Sequence, residues 1–547
     1  MGGTFRGMMQ DAHLDLLKET VRNTEKEKYE DVIWKSKNYS LFYHLSAARR
    51  NLLEWIPLRA GTTILEVGAE CGALTGLFLE KGNEVTALET DPAKAEILKL
   101  RYKDCANLQV VTGTFSDLPE GKTWDYLISA GSLPLAATYF PKEEDPYLAF
   151  LRAMRARMAD DARVFVSLPN KLGLKYLSGA REDYTGAPFT GIENYFYHPS
   201  IRTFGRRELA GLFDQAGFPG GSWFYPYPDW RFPVALFSDE RLPRTGELNR
   251  NLESCDQERY VFFDETKAFD TLVEEGLFSE FANSFLVVFG MDKTALPTYI
   301  KYASERSKKY AVRTEQRWNG IIRKVAMFPE GIPHIRSIFS SYEILEHSMK
   351  DTMIRVAPCR LVDNALEQKY VQGRSLQQFM QKLALEGKNE EIQMLITEYL
   401  MRLETFENLN DIDLIFSNLM ISSSASTALD VKHSVWDLID YEWTYEEPKP
   451  KKYVLYRSFL MASAEITNCE ALKFDNLIKR INLSKDQIKQ YENQEKAFQA
   501  EVLGERHPTR DMVRQIEPGI IPLATLDQAY RASLVKPEEK KRRFFRR

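Results

Sequence analysis

The stretch Ile64-Leu65-Glu66-Val67-Gly68-Ala69-Glu70-Cys71-Gly72-Ala73-Leu74-Thr75-Gly76, ILEVGAECGALTG, decides how the first half of this 547-residue chain folds. An apolar, β-prone run enters a glycine, and a second glycine four positions on opens the helical pattern ALTGLFLE. Strand, tight turn and helix in that order begin a parallel α/β sheet. Glycines at such a turn let the backbone approach a ligand closely. A dinucleotide site uses G-x-G-x-x-G to cradle a pyrophosphate at the helix N-terminus. Here the spacing is Gly68-x-x-x-Gly72, position 70 is Glu, and Glu66 stands just before the turn. A carboxylate so placed repels a pyrophosphate. As a non-glycine residue, Glu70 is expected at negative φ with its side chain turned away from any ligand.

Working outward, the same alternation continues from Thr62 to about Leu168. Short apolar runs (TILEVG, EVTALE, LQVVTG, WDYLISAG, RVFVSLP) alternate with the helical patterns GALTGLFLEKG, PAKAEILKLRY and DPYLAFLRAMRARMA. This predicts a parallel sheet with helices on both faces. Before it, the first 40 or so residues are charged and helix-prone, and LFYHLSAARRNLLEWIP reads as one amphipathic helix. After it, TFGRRELAGLFDQAGF predicts a helix and ANSFLVVFG a late strand, with WFYPYPDWRFP extended or loop-like between them.

Composition excludes several classes. A net charge of -5 argues against bulk nucleic-acid binding, which needs a basic footprint. Five scattered cysteines (Cys71, Cys105, Cys255, Cys359, Cys469) without a CxxC pair argue against zinc and a disulfide framework, and fit a reducing cytoplasm. No apolar run reaches the length of a membrane span, the amino terminus carries no signal-peptide pattern, and Arg6 spoils a myristoylation signal. The expected location is cytoplasmic.

A second acid, Glu89, ends the next strand about twenty residues past Gly68, where a carboxylate accepts hydrogen bonds from ribose hydroxyls. Together with Glu66, which attracts a cationic sulfonium, it favours S-adenosylmethionine over NAD. ILEVGAECGAL resembles motif I of class I S-adenosylmethionine-dependent methyltransferases, and ALETDP their ribose-binding motif. VTGTFSDLP is similar to the adenine-edge segment, and WDYLISAGSL to the strand-four motif beside the transfer site. The resemblance implies a Rossmann-like α/β sheet in which Glu66, Gly68 and Gly72 flank the methionine moiety. Glu89 would then bind the ribose, and Thr114 and Phe115 border the adenine. Glu70 and Thr114 depart from the family pattern. On the acceptor side, SLPNKLGLKYLSGAREDYTG offers Asn170, Lys171, Glu182 and Asp183, with Glu182 and Asp183 the candidate catalytic acids. His198 is a candidate base, although a lone His is more often structural. Trp223, Tyr225, Tyr227 and Trp230 either stack on sugar rings or pack.

After MDKTALP the pattern changes. TYIKYASER, KYAVRTEQ and IIRKVAM read as successive strands, HIRSIFSSYEILEH as a helix, and IRVAPCRLVD and ALEQKYVQG as further strands before a helical stretch. An antiparallel sheet followed by helices predicts a second, α+β domain. Within it Asp413-x-x-x-x-Asn418 is followed by Asp440-Tyr441-Glu442. This resembles the kinase fold of aminoglycoside and choline kinases, in which such an Asp is the catalytic base. Asn418 and Asp440 would then be magnesium ligands, and Lys324 the ATP-phosphate lysine, with Lys301 as alternative. Its helix partner would be Glu330 or Glu343. The His-Arg before the catalytic Asp and the Gly-rich loop are both missing. The domain is therefore either active, with ATP and magnesium, or degenerate.

The expected organisation is a helical segment 1–46, a methyltransferase domain 47–290, a kinase-like domain 297–500 and a helical, basic tail 501–547. That layout is similar to bifunctional kinase–methyltransferases that cap bacterial O-antigen polysaccharides. It implies a glycan, glycan-phosphate or glycan-lipid acceptor in surface-polysaccharide biosynthesis, with glycosyltransferases as partners. The rival expectations are a phosphotransferase with a regulatory S-adenosylmethionine-binding domain, and a non-enzymatic scaffold for glycosyltransferases. The run Lys540–Arg547, six cations with two aromatics, could make the protein membrane-peripheral on an anionic surface; otherwise it is a solvated tail.

Overall fold

The computed structural model describes residues 5–525 apart from 250, 253, 407–408, 467–468, 517–518 and 523. The basic run Lys540–Arg547 lies outside the described residues. The chain divides into two compact units: one runs to Lys293 and takes in the segment beginning at Thr509, the other is Thr294–Pro508.

The first unit is built on strands β1 (Thr63–Val67), β2 (Glu84–Glu89), β3 (Leu108–Thr112), β4 (Trp124–Ala130), β5 (Met158–Pro169), β6 (Ser222–Tyr227), β7 (Ala235–Ser238) and β8 (Ser284–Phe289). Their order is β3-β2-β1-β4-β5-β8-β6-β7. β1 to β5 pair in parallel, whereas β8 runs antiparallel between β5 and β6. This is the α/β, Rossmann-like sheet expected from the alternation. Leu65, Val67, Ala87, Leu127 and Val166 are fully buried, as strands covered on both faces require. Because β2 and β4 leave β1 in opposite directions, the switch point of the sheet lies at the carboxyl end of β1, where such folds bind ligands.

Three helices precede the sheet: α1 (Phe5–Asn23), α2 (Tyr29–Ser36) and α3 (Tyr39–Leu45). The first 46 residues belong to this unit. Leu17, Ile33, Leu41 and Phe42 share a core with Cys71, Ile97 and with Met512 and Val513 of the helix Thr509–Ile516. The single amphipathic helix expected from Leu41 onward is broken. Ser46 adopts an extended backbone, and its hydroxyl accepts the Ala48 N–H at 3.3 Å, restarting the chain as the 3-10 segment Ala47–Leu52. The aromatic stretch after Ser222 forms β6, with Tyr225, Tyr227 and Trp230 buried.

In the second unit β9 (Pro297–Tyr302), β10 (Val312–Arg317) and β11 (Ile321–Ala326) precede the helix Ile332–Met349. β12 (Ile354–Val356), β13 (Cys359–Val362), β14 (Ala365–Lys369) and β15 (Arg374–Ser375) follow. β16 (Leu409–Asp411), β17 (Leu419–Ile421), β18 (Trp436–Leu438) and β19 (Thr444–Lys449) complete the strands. β9, β10, β11, β14 and β13 pair antiparallel in that order. A smaller sheet runs β12-β18-β17-β15. The segment from Tyr453 is helical, and Tyr453, Phe459 and Leu477 lie in the core with Ile335, Leu395 and Trp436. The boundary drawn at 500/501 falls inside the helix Lys485–Leu503.

Candidate functional site

Between β1 and the helix α4 (Thr75–Glu80) the turn takes its shape from two glycines. Gly68 has φ +73° and Gly72 φ +82°. A Cβ on Gly68 would stand 2.6 Å from the Ser132 Cβ, and one on Gly72 2.4 Å from Leu98 Cδ1. Both are therefore fixed by the protein's own packing as well as by conformation. Ser132, just past β4, donates to the Val67 carbonyl at 2.8 Å and ties the ends of β1 and β4 together.

Glu89 closes β2, buried at the same crevice. Its Oε2 accepts the Glu70 N–H at 2.7 Å and its Oε1 the Asp91 N–H at 2.9 Å. Burial raises its carboxyl pKa, against those hydrogen bonds. Each oxygen keeps a second lone pair, so the pair remains able to accept two hydroxyls. Glu66 is also buried and accepts the Thr75 hydroxyl at 2.6 Å. Burial pushes its carboxyl up to about 8, against that bond. Thr114 opens a short 3-10 turn whose Asp117 carboxylate accepts the Thr114 N–H at 2.8 Å. Phe115 is buried, stacked on Phe140 at 5.7 Å and edge-on to Phe150 at 5.3 Å.

Glu70 corrects the expectation drawn from its position. Its φ is +49°, not negative, and its side chain is held in place rather than turned outward. Oε2 accepts the Tyr43 hydroxyl of α3 at 2.9 Å, and Oε1 pairs with Lys94 at 3.1 Å on the helix α5 (Pro92–Arg101). Burial would raise its pKa, but Lys94 leads the neighbours that hold it down at about 2. These bonds, with the Glu70 N–H on Glu89, offset a left-handed backbone that costs about 1–2 kcal/mol.

The acceptor-side candidates are committed elsewhere. Glu182, 1% exposed, accepts the Tyr184 and Thr185 N–H groups at 2.9 and 2.6 Å and the Tyr195 hydroxyl at 3.1 Å. Asp183 pairs with Lys175 at 3.0 Å and Arg231 at 3.4 Å, inside a buried network with Asp229 and Asp256. Neither carboxylate is left to take a proton from an acceptor. Asn170 donates to the Glu280 and Ala282 carbonyls, both at 2.8 Å, and Lys171 pairs with Glu208 at 2.8 Å. His198 is half-buried in a loop that exposes Phe196 and Tyr197. What reaches β4 instead is Tyr184, whose hydroxyl donates to the Gly131 carbonyl at 2.9 Å, and Trp230, whose ring closes over Gly131. Nothing local in the sequence marks Tyr43 of the preceding α3 or Lys94 of the following α5 as partners of this turn.

In the second unit the residues of the Asp413–Asn418 motif do converge. Lys324 on β11 pairs with Asp440 at 2.6 Å, and the Asn418 amide donates to the Asp413 carbonyl at 3.0 Å. Burial, then the Asp440 carboxylate, pushes Asp413 up to about 7, although Arg457 lies 3.5 Å away. Glu330 and Glu343 are exposed, and the partner of Lys324 is Asp440 rather than a helix glutamate. The helix supplies His334 instead, which meets Glu442 at 2.6 Å. Arg306, in the glycine-free β9–β10 loop, reaches the same carboxylate at 2.5 Å and helps hold Glu442 at about 2 despite its burial. Lys301 is exposed on β9. Among the described residues no group of three or more His, Cys, Asp or Glu is set to hold a metal ion by itself.

No described helix is long and apolar enough to cross a membrane. No family model matches the chain. The chain is similar to an uncharacterized methyltransferase of Staphylococcus carnosus, 28% identical over 144 residues, which is 26% of this chain and 58% of that protein. It is also similar to ribosomal RNA small subunit methyltransferase A of Treponema denticola, 36% identical over 86 residues, 15% of this chain and 28% of that one. The chain thus spans between about a quarter and three fifths of the curated relatives it matches. Among solved structures, a SAM-dependent methyltransferase of Archaeoglobus fulgidus aligns with a TM-score of 0.29 at 15% identity, covering 46% of this chain and 98% of that one.

Proposed function

We propose that the first unit transfers a methyl group from S-adenosylmethionine. The observation that carries this reading is Glu89. It is a buried carboxylate at the end of β2, beside the switch point, fixed by two backbone N–H groups with lone pairs left for a ribose. The Gly68–Gly72 turn beside it and Glu66, whose ionised form a neighbouring cationic sulfonium would favour, support the methionine end. Phe115 supports an adenine border. Replacing Glu89 by Ala removes the two ribose acceptors and should weaken S-adenosylhomocysteine binding by about 10- to 100-fold, read by calorimetry. Unchanged affinity in a folded variant would sink the proposal.

The acceptor we propose is a bacterial surface-glycan hydroxyl or glycan-phosphate, with glycosyltransferases as partners, on the strength of domain order alone. Membrane-surface association through Lys540–Arg547 belongs to the same reading. A second reading, phosphotransfer by the second unit, is favoured by one observation: Lys324 of β11 pairs with Asp440 at 2.6 Å, and the Asn418 amide donates to the Asp413 carbonyl at 3.0 Å, so the motif residues meet in one place. Asn418 and Asp440 would hold magnesium and Lys324 the phosphates of ATP, with Asp413 as base. The rivals keep the same folds: a phosphotransferase regulated by S-adenosylmethionine, or a scaffold. The scaffold predicts unchanged glycan methylation in cells carrying the Glu89→Ala substitution.

A further inference from the structure

Arg49 is 2% exposed, yet among the described residues no carboxylate lies within ion-pairing distance of it. Its guanidinium sits between two aromatic rings, 4.4 Å from the centre of Tyr43 and 4.8 Å from that of Trp230. One terminal nitrogen donates to the Arg231 carbonyl at 3.3 Å, and Nε has no hydrogen-bond partner among the described residues. The indole N–H of Trp230 is buried and equally unpartnered. The nearest acids are already engaged: Glu70 with Lys94 and Tyr43, Glu66 with the Thr75 hydroxyl. Aromatic faces favour a cation and fix its plane, but they do not replace a counter-ion in a desolvated place.

The position of this cation is specific. Trp230 covers Gly131 at the end of β4, so close that a Cβ there would lie 2.5 Å from the ring. Ser132, the next residue, ties β4 to β1 beside Gly68. Arg49 therefore stands at the crevice where the carboxyl ends of β1 and β4 diverge. Arg49 belongs to the 3-10 segment that begins after the break at Ser46.

We infer that Arg49, with the Trp230 indole N–H, is the anion seat of this crevice and takes a carboxylate or phosphate group of the small molecule bound there. A planar guanidinium with free N–H groups suits two-oxygen anions of this kind. The inference rests on the methyltransferase reading for the identity of the anion, though not for its charge. Two sources share the chemistry: the amino-acid carboxylate of the cofactor, and an acidic group on the methyl acceptor.

The test uses the full chain as wild type, Arg49→Gln and Arg49→Lys, each first shown to be folded by its thermal transition. Calorimetric titrations use S-adenosylhomocysteine, 5′-methylthioadenosine (which lacks the amino-acid group) and inorganic phosphate, the last added both to the free protein and to the S-adenosylhomocysteine complex. If the seat holds the cofactor carboxylate, Arg49→Gln weakens S-adenosylhomocysteine at least tenfold and leaves 5′-methylthioadenosine unchanged. If it holds an acceptor anion, S-adenosylhomocysteine is unaffected and the phosphate affinity seen in wild type falls at least tenfold. Either result supports the seat. Should Arg49→Gln not fold, Arg49→Lys, which keeps charge but loses the planar fork, is expected to lower one of the two affinities by threefold or more. Folded variants that bind both anions as wild type does overturn the inference, as does a wild type that binds neither. A wild type that binds phosphate through Arg49 but no S-adenosylhomocysteine sinks the methyltransferase reading and leaves the anion seat standing.

Discussion

At position 70 a charged residue takes a backbone that usually belongs to glycine, and the reason lies outside its own segment. The Glu70 N–H must point at Glu89, which demands the left-handed turn, and its carboxylate is then met by Lys94 and Tyr43. Sequence shows that residue 70 is not glycine, but its partners lie 24 and 27 positions away, beyond any local pattern. The ion pair has a pH signature. With the folded pKa near 2, below the ordinary carboxylate value, its contribution is present in full above about 4.5 and is lost as pH falls toward 2. Glu70→Gln should therefore destabilise the protein by about 1–3 kcal/mol at pH 7. The gap to wild type should narrow on acidification through that window. Urea unfolding at a series of pH values measures it, and a gap that stays constant down to pH 3 would show that the pair carries no such weight.

Elements were legible where their periodicity was strong. β1, β2, β4, β5 and β8 follow the apolar runs, because a strand covered on both faces has little choice but to be apolar throughout. The break at Ser46 was not legible, since the apolar pattern continues through it and only a cap hydroxyl marks the change. Nor was the buried contribution of the helices after Tyr453, whose surfaces carry many charges while Tyr453, Phe459 and Leu477 face a core assembled from distant segments. The turn after β1 lies between these cases: its glycines are visible in sequence, and what they touch is not. Gly72→Ala should cost about 2–4 kcal/mol, from a positive φ and a methyl driven into Leu98 and Tyr102. Loss of the same size is expected whether or not cofactor is present, because the clash is with protein. A cost that appears only in cofactor affinity would instead mean that the glycine serves the ligand alone.

At the scale of the molecule, each unit carries its own core and its own cluster of titratable groups, so the two proposed chemistries are separable. The first depends on Glu89 at a sheet switch point. The second depends on Asp413, whose carboxyl burial and the Asp440 carboxylate push above the usual carboxylate range, the direction a general base needs. Against activity stand Arg306, which already pairs with Glu442, and a β9–β10 loop with no glycine to admit phosphates closely. A pair of single variants decides between a working second centre and a degenerate one. If the centre works, Asp413→Asn should abolish ATP consumption, at least a hundredfold, while S-adenosylhomocysteine affinity stays within twofold of wild type. Glu89→Ala should do the reverse. ATP turnover by a coupled assay and cofactor binding by calorimetry read both without knowledge of the acceptor. A wild type that consumes no ATP, yet binds cofactor through Glu89, assigns the second unit to a role other than catalysis. Loss of ATP turnover on Glu89→Ala would instead favour the phosphotransferase whose first unit is a regulatory binder.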